Sequence, residues 1–62
     1  MNETANDVFN YLSHLKNIKK TLNNNYYVSC DEGIWTIFDK TNDLPVMSMT
    51  RKNFEIFQEI EV

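Results

Sequence analysis

The two residue types best suited to covalent catalysis occur once each in this chain, as Cys30 and His14. A cysteine hydrolase needs the thiol and the imidazole within hydrogen-bonding distance, a third group that orients the imidazole, and donors for an oxyanion. No motif surrounds either residue, and the negative charge of Asp31 beside Cys30 disfavours a thiolate. We expect a half-buried strand cysteine and a histidine at a helix edge. The chain is predicted not to be an enzyme, with no catalytic residues and no small-molecule substrate.

The acidic residues in the middle of the chain do not have metal-site spacing. These residues are Asp31, Glu32, Asp39 and Asp43, and they lack the Asp-x-Asp-x-Asp-Gly pattern of a calcium loop. One histidine and one cysteine cannot assemble a Cys/His zinc cage. A single glycine excludes the Gly-rich loops that bind nucleotide phosphates. We therefore predict no metal and no cofactor, and interpret these acids as turn residues that bond their own backbone.

Basic residues in the first third of the chain give an alternative with nucleic acid as the partner. Lys16, Lys19 and Lys20 could contact phosphates, with Tyr26 and Tyr27 stacking on bases. However, nine acidic and six basic residues give a net charge of −3, which disfavours nonspecific binding to nucleic acid or to anionic membranes. The simpler interpretation is a solvated helix face whose lysines complement the helix dipole.

The stretch from Ile34 to Phe38 is apolar on both faces of a predicted strand. Alternation places Ile34 and Phe38 on one face and Trp35 and Ile37 on the other. We predict that one face packs on helices and that the other binds a partner. The residues chosen for partner binding are Trp35, Ile37, Met47, Met49 and Tyr27, because Trp, Tyr and Met are suited to binding surfaces. The alternative is that the second helix covers the Trp35 face while the first covers the other.

The first element that positions these residues is a helix from Ala5 to Leu22. Its apolar residues fall within a half-circle at about 100° per residue; they are Ala5, Val8, Phe9, Tyr11, Leu12, Leu15, Ile18 and Leu22. Thr4 is predicted to cap the helix, with Asp7 three residues later. Asn23 to Asn25 tolerate left-handed backbone and end it.

A β-meander and a second helix are predicted to follow. Tyr26 to Cys30 and Ile34 to Asp39 form a hairpin around Asp31-Glu32-Gly33, in which Gly33 accepts a positive φ. Val46 to Met49 forms a third strand after Pro45. The final segment places Phe54, Ile56, Phe57 and Ile60 on one side of a helix with a frayed end, with Thr50 as the cap. A strand is the alternative for this segment, because Ile60-Glu61-Val62 alternates and the charges at both ends oppose the helix dipole. The order predicts one α+β domain spanning residues 1–62, a three-stranded antiparallel meander with both helices on one face (αβββα).

The small size of the chain favours self-association. A domain of this size buries only about 60% of the surface that its unfolded chain exposes, and small domains often gain stability from disulfides, a metal or a second copy. A single cysteine excludes an intramolecular disulfide, so a homodimer is expected. The lone thiol and the lack of a signal-like apolar run indicate the cytoplasm, here of a bacterial host cell. No segment approaches the ~20 apolar residues that cross a bilayer.

The sequence therefore predicts a small acidic, non-enzymatic module that binds another protein as a regulator or inhibitor. A skew towards amino acids with AT-rich codons suggests a low-GC bacterium or its phages and plasmids, since Gly, Ala, Arg and Pro occur once each. A more specific version of this prediction is an inhibitor whose carboxylates mimic nucleic-acid phosphates and occupy the phosphate-binding groove of an enzyme. The carboxylates outside the first helix are those of Asp31, Glu32, Asp39, Asp43, Glu55, Glu59 and Glu61. The alternative is a nucleic-acid accessory protein that uses Lys16, Lys19, Lys20 and Tyr26.

Overall fold

The computed structural model describes the backbone of residues 5–62 and the side chains of residues 7–62. Helix α1 is followed by a three-stranded antiparallel sheet in the order β1-β2-β3 and by helix α2. The bounds are α1 Ala5–Leu22, β1 Tyr26–Asp31, β2 Ile34–Asp39, β3 Leu44–Thr50 and α2 Arg51–Glu59. This is the predicted αβββα order, so the predicted fold class is confirmed.

Helix α1 has the predicted bounds, and it ends at the asparagine run that was predicted to end it. Asn23 and Asn24 both take positive φ, at 51° and 64°, a conformation that Asn adopts more readily than other residues with a side chain. The Asn23 N–H donates to the Lys19 carbonyl at 3.1 Å, which closes the last turn. The predicted N-terminal cap, Thr4, lies outside the described residues.

The β1–β2 hairpin turns through two residues with positive φ, Glu32 at 51° and Gly33 at 80°. Positive φ at both central positions is typical of a type I′ turn, whose twist matches that of paired strands. Asp31 and Ile34 flank the turn, and the register runs from this pair to Tyr26 opposite Asp39. Strand β1 is therefore one residue longer than predicted.

Strand β3 begins earlier than predicted and contains a bulge. Met47 lies opposite Ile37 and Pro45 opposite Phe38, so Val46 is the extra residue. Pro45 is accommodated because β3 is an edge strand, where a missing N–H costs no sheet hydrogen bond. The loop before β3 is held by Asp39, whose carboxylate accepts from the Thr41 N–H at 2.8 Å.

Helix α2 begins with the predicted cap and ends against a lysine. The Thr50 hydroxyl accepts from the Asn53 N–H at 3.4 Å, which satisfies one of the free donors of the first turn. At the other end Ile60 returns to an extended conformation. There the Lys19 ammonium donates to the carbonyls of Phe57, Gln58 and Ile60 at 3.0, 2.9 and 2.7 Å.

The core lies between one face of the sheet and both helices. Its buried members come from every element except β1 and are Leu15, Leu22, Ile37, Met49, Phe54 and Phe57. Both helices therefore cover the same face, as predicted, but it is the face of Trp35 and Ile37, which was predicted to bind a partner. The alternative is right for α2, which covers the Trp35 face, and wrong for α1, which packs beside α2 on that same face and is joined to its C-terminal end by Lys19.

Candidate docking surface

On the opposite face of the sheet, residues 5–62 place no helix. Its apolar members are Tyr27, Ile34, Phe38 and Pro45, and its polar members are Ser29, Asp31, Thr36, Ser48 and Thr50. We call these residues the open face. Tyr27 and Ile34 are 37% and 46% exposed, and Phe38 is half-buried. The side chains alternate with those of the core because successive strand residues point to opposite sides of a sheet.

An aromatic pair forms one end of the open face. The rings of Tyr27 and Phe38 lie on neighbouring strands with centroids 5.0 Å apart and planes within 7° of parallel. Cross-strand aromatic pairs stabilise a sheet and fix the orientation of both rings. The pair therefore presents a flat and ordered apolar surface.

Asp43, in the loop before β3, borders this aromatic pair. Partial desolvation raises the pKa of Tyr27 above its ordinary value of 10.0, and the charge of Asp43 and a hydrogen bond to its carboxylate raise it further. The neutral phenol donates this hydrogen bond, so ionisation of Tyr27 would remove the donor and place two negative charges together. The Tyr27 phenol therefore stays neutral to a higher pH than an ordinary tyrosine.

The middle of the open face is polar but internally bonded. The hydroxyls of Thr36 and Ser48 lie 3.0 Å apart on neighbouring strands. Beyond them, Ile34 is exposed at the hairpin end of the sheet, opposite Asp31 and Thr50. The surface therefore has two apolar ends separated by a hydroxyl pair.

The charge of the open face is acidic. Asp31 belongs to it and Asp43 lies beside Tyr27, whereas none of its residues is Lys or Arg. The basic residues of the described chain lie on α1, in the loop at Lys40 and at the start of α2. The open face therefore combines exposed apolar groups with negative charge.

The predicted partner-binding residues divide between the two faces. Tyr27 lies on the open face, as required of an accessible anchor. Ile37 is fully buried and Met49 is 5% exposed, and Trp35 stacks on Phe54 with centroids 4.8 Å apart. Met47 is half-buried against the same core. The choice of face is therefore corrected: helix α2 covers Trp35 and its neighbours.

The predicted nucleic-acid residues are not brought together as a binding surface. Lys19 is 8% exposed and occupied with the end of α2, so it cannot contact a phosphate while the domain is folded. The Tyr26 ring packs edge-on against Phe57 at 5.7 Å, which hinders base stacking. Lys16 and Lys20 are exposed on α1. For Lys19 and Tyr26 this corrects the prediction, because both side chains belong to the packing of α2.

Cys30 and His14 lie far apart. His14 lines a cleft with Asp39 and Val46, at the end of the sheet where Tyr26 pairs with Asp39. Cys30 lies at the hairpin end, about 13 Å further along β1 at roughly 3.3 Å per residue. Cys30 is also exposed rather than half-buried as predicted, because β1 is an edge strand. Within residues 7–62 the structure holds no group of three or more His, Cys, Asp or Glu residues suited to a metal ion.

The sequence analysis missed a second apolar surface on α1. Val8, Phe9 and Leu12, all assigned to the covered side of the helix, are 46%, 67% and 38% exposed. A cleft of about 620 Å³ separates this part of α1 from Lys52, Asn53 and Ile56 of α2. A nine-residue α2 is only half as long as the 18-residue α1. The shorter helix therefore leaves the first turns of α1 uncovered.

The other residues missed by the sequence analysis are Ile34 and Phe38. Strand alternation had already placed them on one face, but composition favoured the Trp and Met side as the binding surface. Large aromatic residues and methionines fill cores as readily as interfaces. Both faces of β2 are apolar, so the sequence contains no local signal for the face that the helices cover.

Among the described residues, no helix is long and apolar enough to cross a membrane. Comparison of the sequence with protein-family models, with curated proteins and with solved structures returns no match.

Proposed function

We propose that this protein is a non-enzymatic module that binds another protein through the open face and thereby regulates or inhibits it. The observation that carries the proposal is a sheet face with exposed apolar groups at both ends, over which residues 5–62 place no helix because both helices pack on the opposite side. Exposed apolar groups with a polar rim mark surfaces for association. The ordered pair of Tyr27 and Phe38 is the expected anchor, since rigid aromatic residues lose little conformational entropy on binding.

The negative charge of the open face indicates which surface of a partner would be complementary. Asp31 and Asp43 supply negative charge at opposite ends of the open face. A complementary partner presents an apolar patch flanked by lysine or arginine, and such charge pairs act mainly on specificity and association rate. Basic patches of this kind occur on enzymes and factors that bind nucleic acid. Occupation of such a patch would exclude the normal ligand, which is the inhibitory mode proposed here.

The composition favours a phage or mobile genetic element as the source and the cytoplasm of a bacterial host as the site of action. This part of the proposal rests on the skew towards residues with AT-rich codons. Small acidic inhibitors from such elements act on host proteins within the same cell. The alternative, a nucleic-acid accessory protein, retains only Lys16 and Lys20 as accessible residues on α1.

The test begins with capture of proteins from a low-GC bacterial host and their identification by mass spectrometry. Each candidate is then purified, and its affinity is measured by isothermal titration calorimetry. Ile34→Thr is the informative variant, and Val8→Thr on α1 is the matched control because both residues are 46% exposed in the wild type. Loss of a buried hot-spot contact weakens binding by about tenfold or more.

We expect Ile34→Thr to weaken binding in this way and Val8→Thr to leave it within about twofold. The affinity should also fall with salt, and less steeply for Asp31→Asn. Equal loss in the two threonine variants would place the contact elsewhere. Weaker binding by Val8→Thr alone would assign it to the cleft between α1 and α2 and refute the open face.

A further inference from the structure

Strand β1 has a backbone edge that no other strand within residues 5–62 pairs with. The sheet order β1-β2-β3 makes both β1 and β3 edge strands. The direction of the β1 backbone groups follows from two observations. The Lys40 N–H donates to the Asn25 carbonyl at 3.1 Å, and the two-residue turn after Asp31 places Asp31 opposite Ile34. Hydrogen-bonded and non-hydrogen-bonded pairs alternate in antiparallel strands.

This alternation assigns each residue of β1 to one side. Tyr27, Ser29 and Asp31 direct their N–H and C=O groups to β2. Tyr26, Val28 and Cys30 direct theirs away from the sheet. The outer edge of β1 therefore presents three donor–acceptor residues at every second position over a six-residue strand.

The two edges differ in how they resist pairing with another chain. Strand β3 carries Pro45 and a bulge at Val46, and both features obstruct strand addition. Strand β1, with the sequence Tyr-Tyr-Val-Ser-Cys-Asp, has no proline, lysine or bulge. Its Cys30 and Ser29 side chains are exposed. The β1 edge is therefore the accessible one.

The β1 edge is self-complementary. A two-fold axis at Val28 places Val28 opposite Val28 of a second copy and Tyr26 opposite Cys30 of that copy. All three outward residues of each chain then form hydrogen-bonded pairs, which gives about six inter-chain bonds. Every other symmetric register leaves one or more of them unpaired. On the open side, the same register sets Tyr27 opposite Ser29 of the second copy, so no charged side chain faces a like charge.

We infer that two copies of this chain associate through β1, antiparallel and centred on Val28, to form one continuous sheet. The contact is isologous, so it closes as a dimer and leaves the β3 edges outside. A six-residue edge is a small contact, since stable interfaces bury about 1,200 Å² or more. The expected dissociation constant is thus micromolar. The inference does not depend on the proposed function, although the dimer would place two open faces side by side.

The first test is sedimentation equilibrium from low to several hundred micromolar protein. Cys30→Pro removes an outward N–H, which bonds to the second copy and not to β2, so the monomer should fold. Ser48→Pro is the matched control because Ser48 is an outward-facing residue of the other edge strand. We expect Cys30→Pro to weaken dimerisation by about tenfold or more and Ser48→Pro to leave it within about twofold. Circular dichroism checks the fold of both.

The second test needs no proline. In a Cys30→Ser background, Val28→Cys places two thiols opposite each other across the axis, with Cα atoms about 5.5 Å apart, within the range for a disulfide. In the wild type the two Cys30 residues would be about 13 Å apart along the strands. Mild oxidation should therefore cross-link the Val28→Cys variant much faster than the wild type.

Three results would overturn the inference. The first is a monomer at every concentration. The second is equal weakening by the Cys30 and Ser48 prolines, which would place the contact elsewhere. The third is cross-linking of wild-type Cys30 as fast as of the Val28→Cys variant, which would indicate another register or random collision. If Cys30→Pro does not fold, the relative cross-linking rates alone decide the outcome.

Discussion

Single residues in this protein have roles that their types alone do not reveal, and Lys19 is the clearest case. Its position among basic residues suggested contact with phosphate. The structure instead places its ammonium on three carbonyls at the end of α2 and 5.3 Å from the centre of the Phe57 ring. A positive charge at a helix C-terminus complements the dipole and donates to the terminal carbonyls, of which that of Phe57 also accepts from the Ile60 N–H at 3.3 Å.

Lys19→Met should therefore lower the free energy of unfolding by about 2–3 kcal/mol, the range for lost hydrogen bonds to a charged group. The methionine keeps most of the packing but leaves the carbonyls of Phe57, Gln58 and Ile60 without this donor. Lys20→Met is the matched control on the exposed side of α1, and should change stability by less than about 0.5 kcal/mol. Urea denaturation measures both, and similar losses would contradict the capping role.

Tyr27 gives a second prediction at the scale of the residue. Its pKa is raised by desolvation, by the charge of Asp43 and by the hydrogen bond to it. Asp43→Asn should lower the pKa of Tyr27 towards the ordinary value without reaching it, because desolvation remains. Asn also tolerates the positive φ of 58° at this position. Absorbance of the phenolate measures the titration, and Tyr27→Phe identifies which transition belongs to Tyr27.

The raised pKa has a defined effect on stability. Folding favours the neutral phenol, so this contribution is complete below the ordinary tyrosine pKa and is lost as the pH rises through the folded value. The alkaline loss of stability should therefore be smaller in Tyr27→Phe than in the wild type. An unchanged Tyr27 titration in Asp43→Asn would show that the carboxylate does not act on the phenol.

At the scale of the element, β2 separates the two surfaces of the molecule. Its residues alternate between the core, where Trp35 stacks on Phe54, and the open face, where Ile34 is 46% exposed. Neighbouring residues of one strand thus have opposite roles. A shift of one residue along β2 therefore moves a side chain from the core to the open face.

Trp35→Ala should destabilise the domain by about 3 kcal/mol, near the lower end for aromatic truncation in a core because Trp35 is half-buried. Ile34→Ala should cost only about 1 kcal/mol, since almost half of the Ile34 side chain stays exposed in the fold. Thermal and urea denaturation compare the two variants. Equal losses would mean that the open face is covered by part of the chain and would weaken the proposed docking surface.

At the scale of the whole molecule, the arrangement leaves three surfaces for association. These are the open face, the β1 edge and the exposed part of α1 with Val8, Phe9 and Leu12. Residues 5–62 form two helices and one sheet, and a second layer on the open face would need another element. The proposed dimer and the proposed partner contact use separate groups, the outward backbone of β1 and the side chains of the open face. Both can therefore form at once.

The sequence by itself determined the elements and their order, because local chemistry specifies them. Periodicity placed α1 correctly from Ala5 to Leu22, the Asn run ended it, and Thr50 began α2 as predicted. Alternation in β2 correctly divided Ile34 and Phe38 from Trp35 and Ile37. These features depend on residues close together in the chain, so a single sequence contains the information.

Only the tertiary structure decided which face the helices cover. Both faces of β2 are apolar, so the helices would bury apolar side chains whichever face they covered. The choice depends on contacts across the chain, such as Lys19 with the end of α2 and Trp35 with Phe54. In this arrangement the side chains of Lys19 and Tyr26 pack against α2, whereas that of Phe9 is exposed. Burial is a property of the folded arrangement, and residue type alone does not specify it.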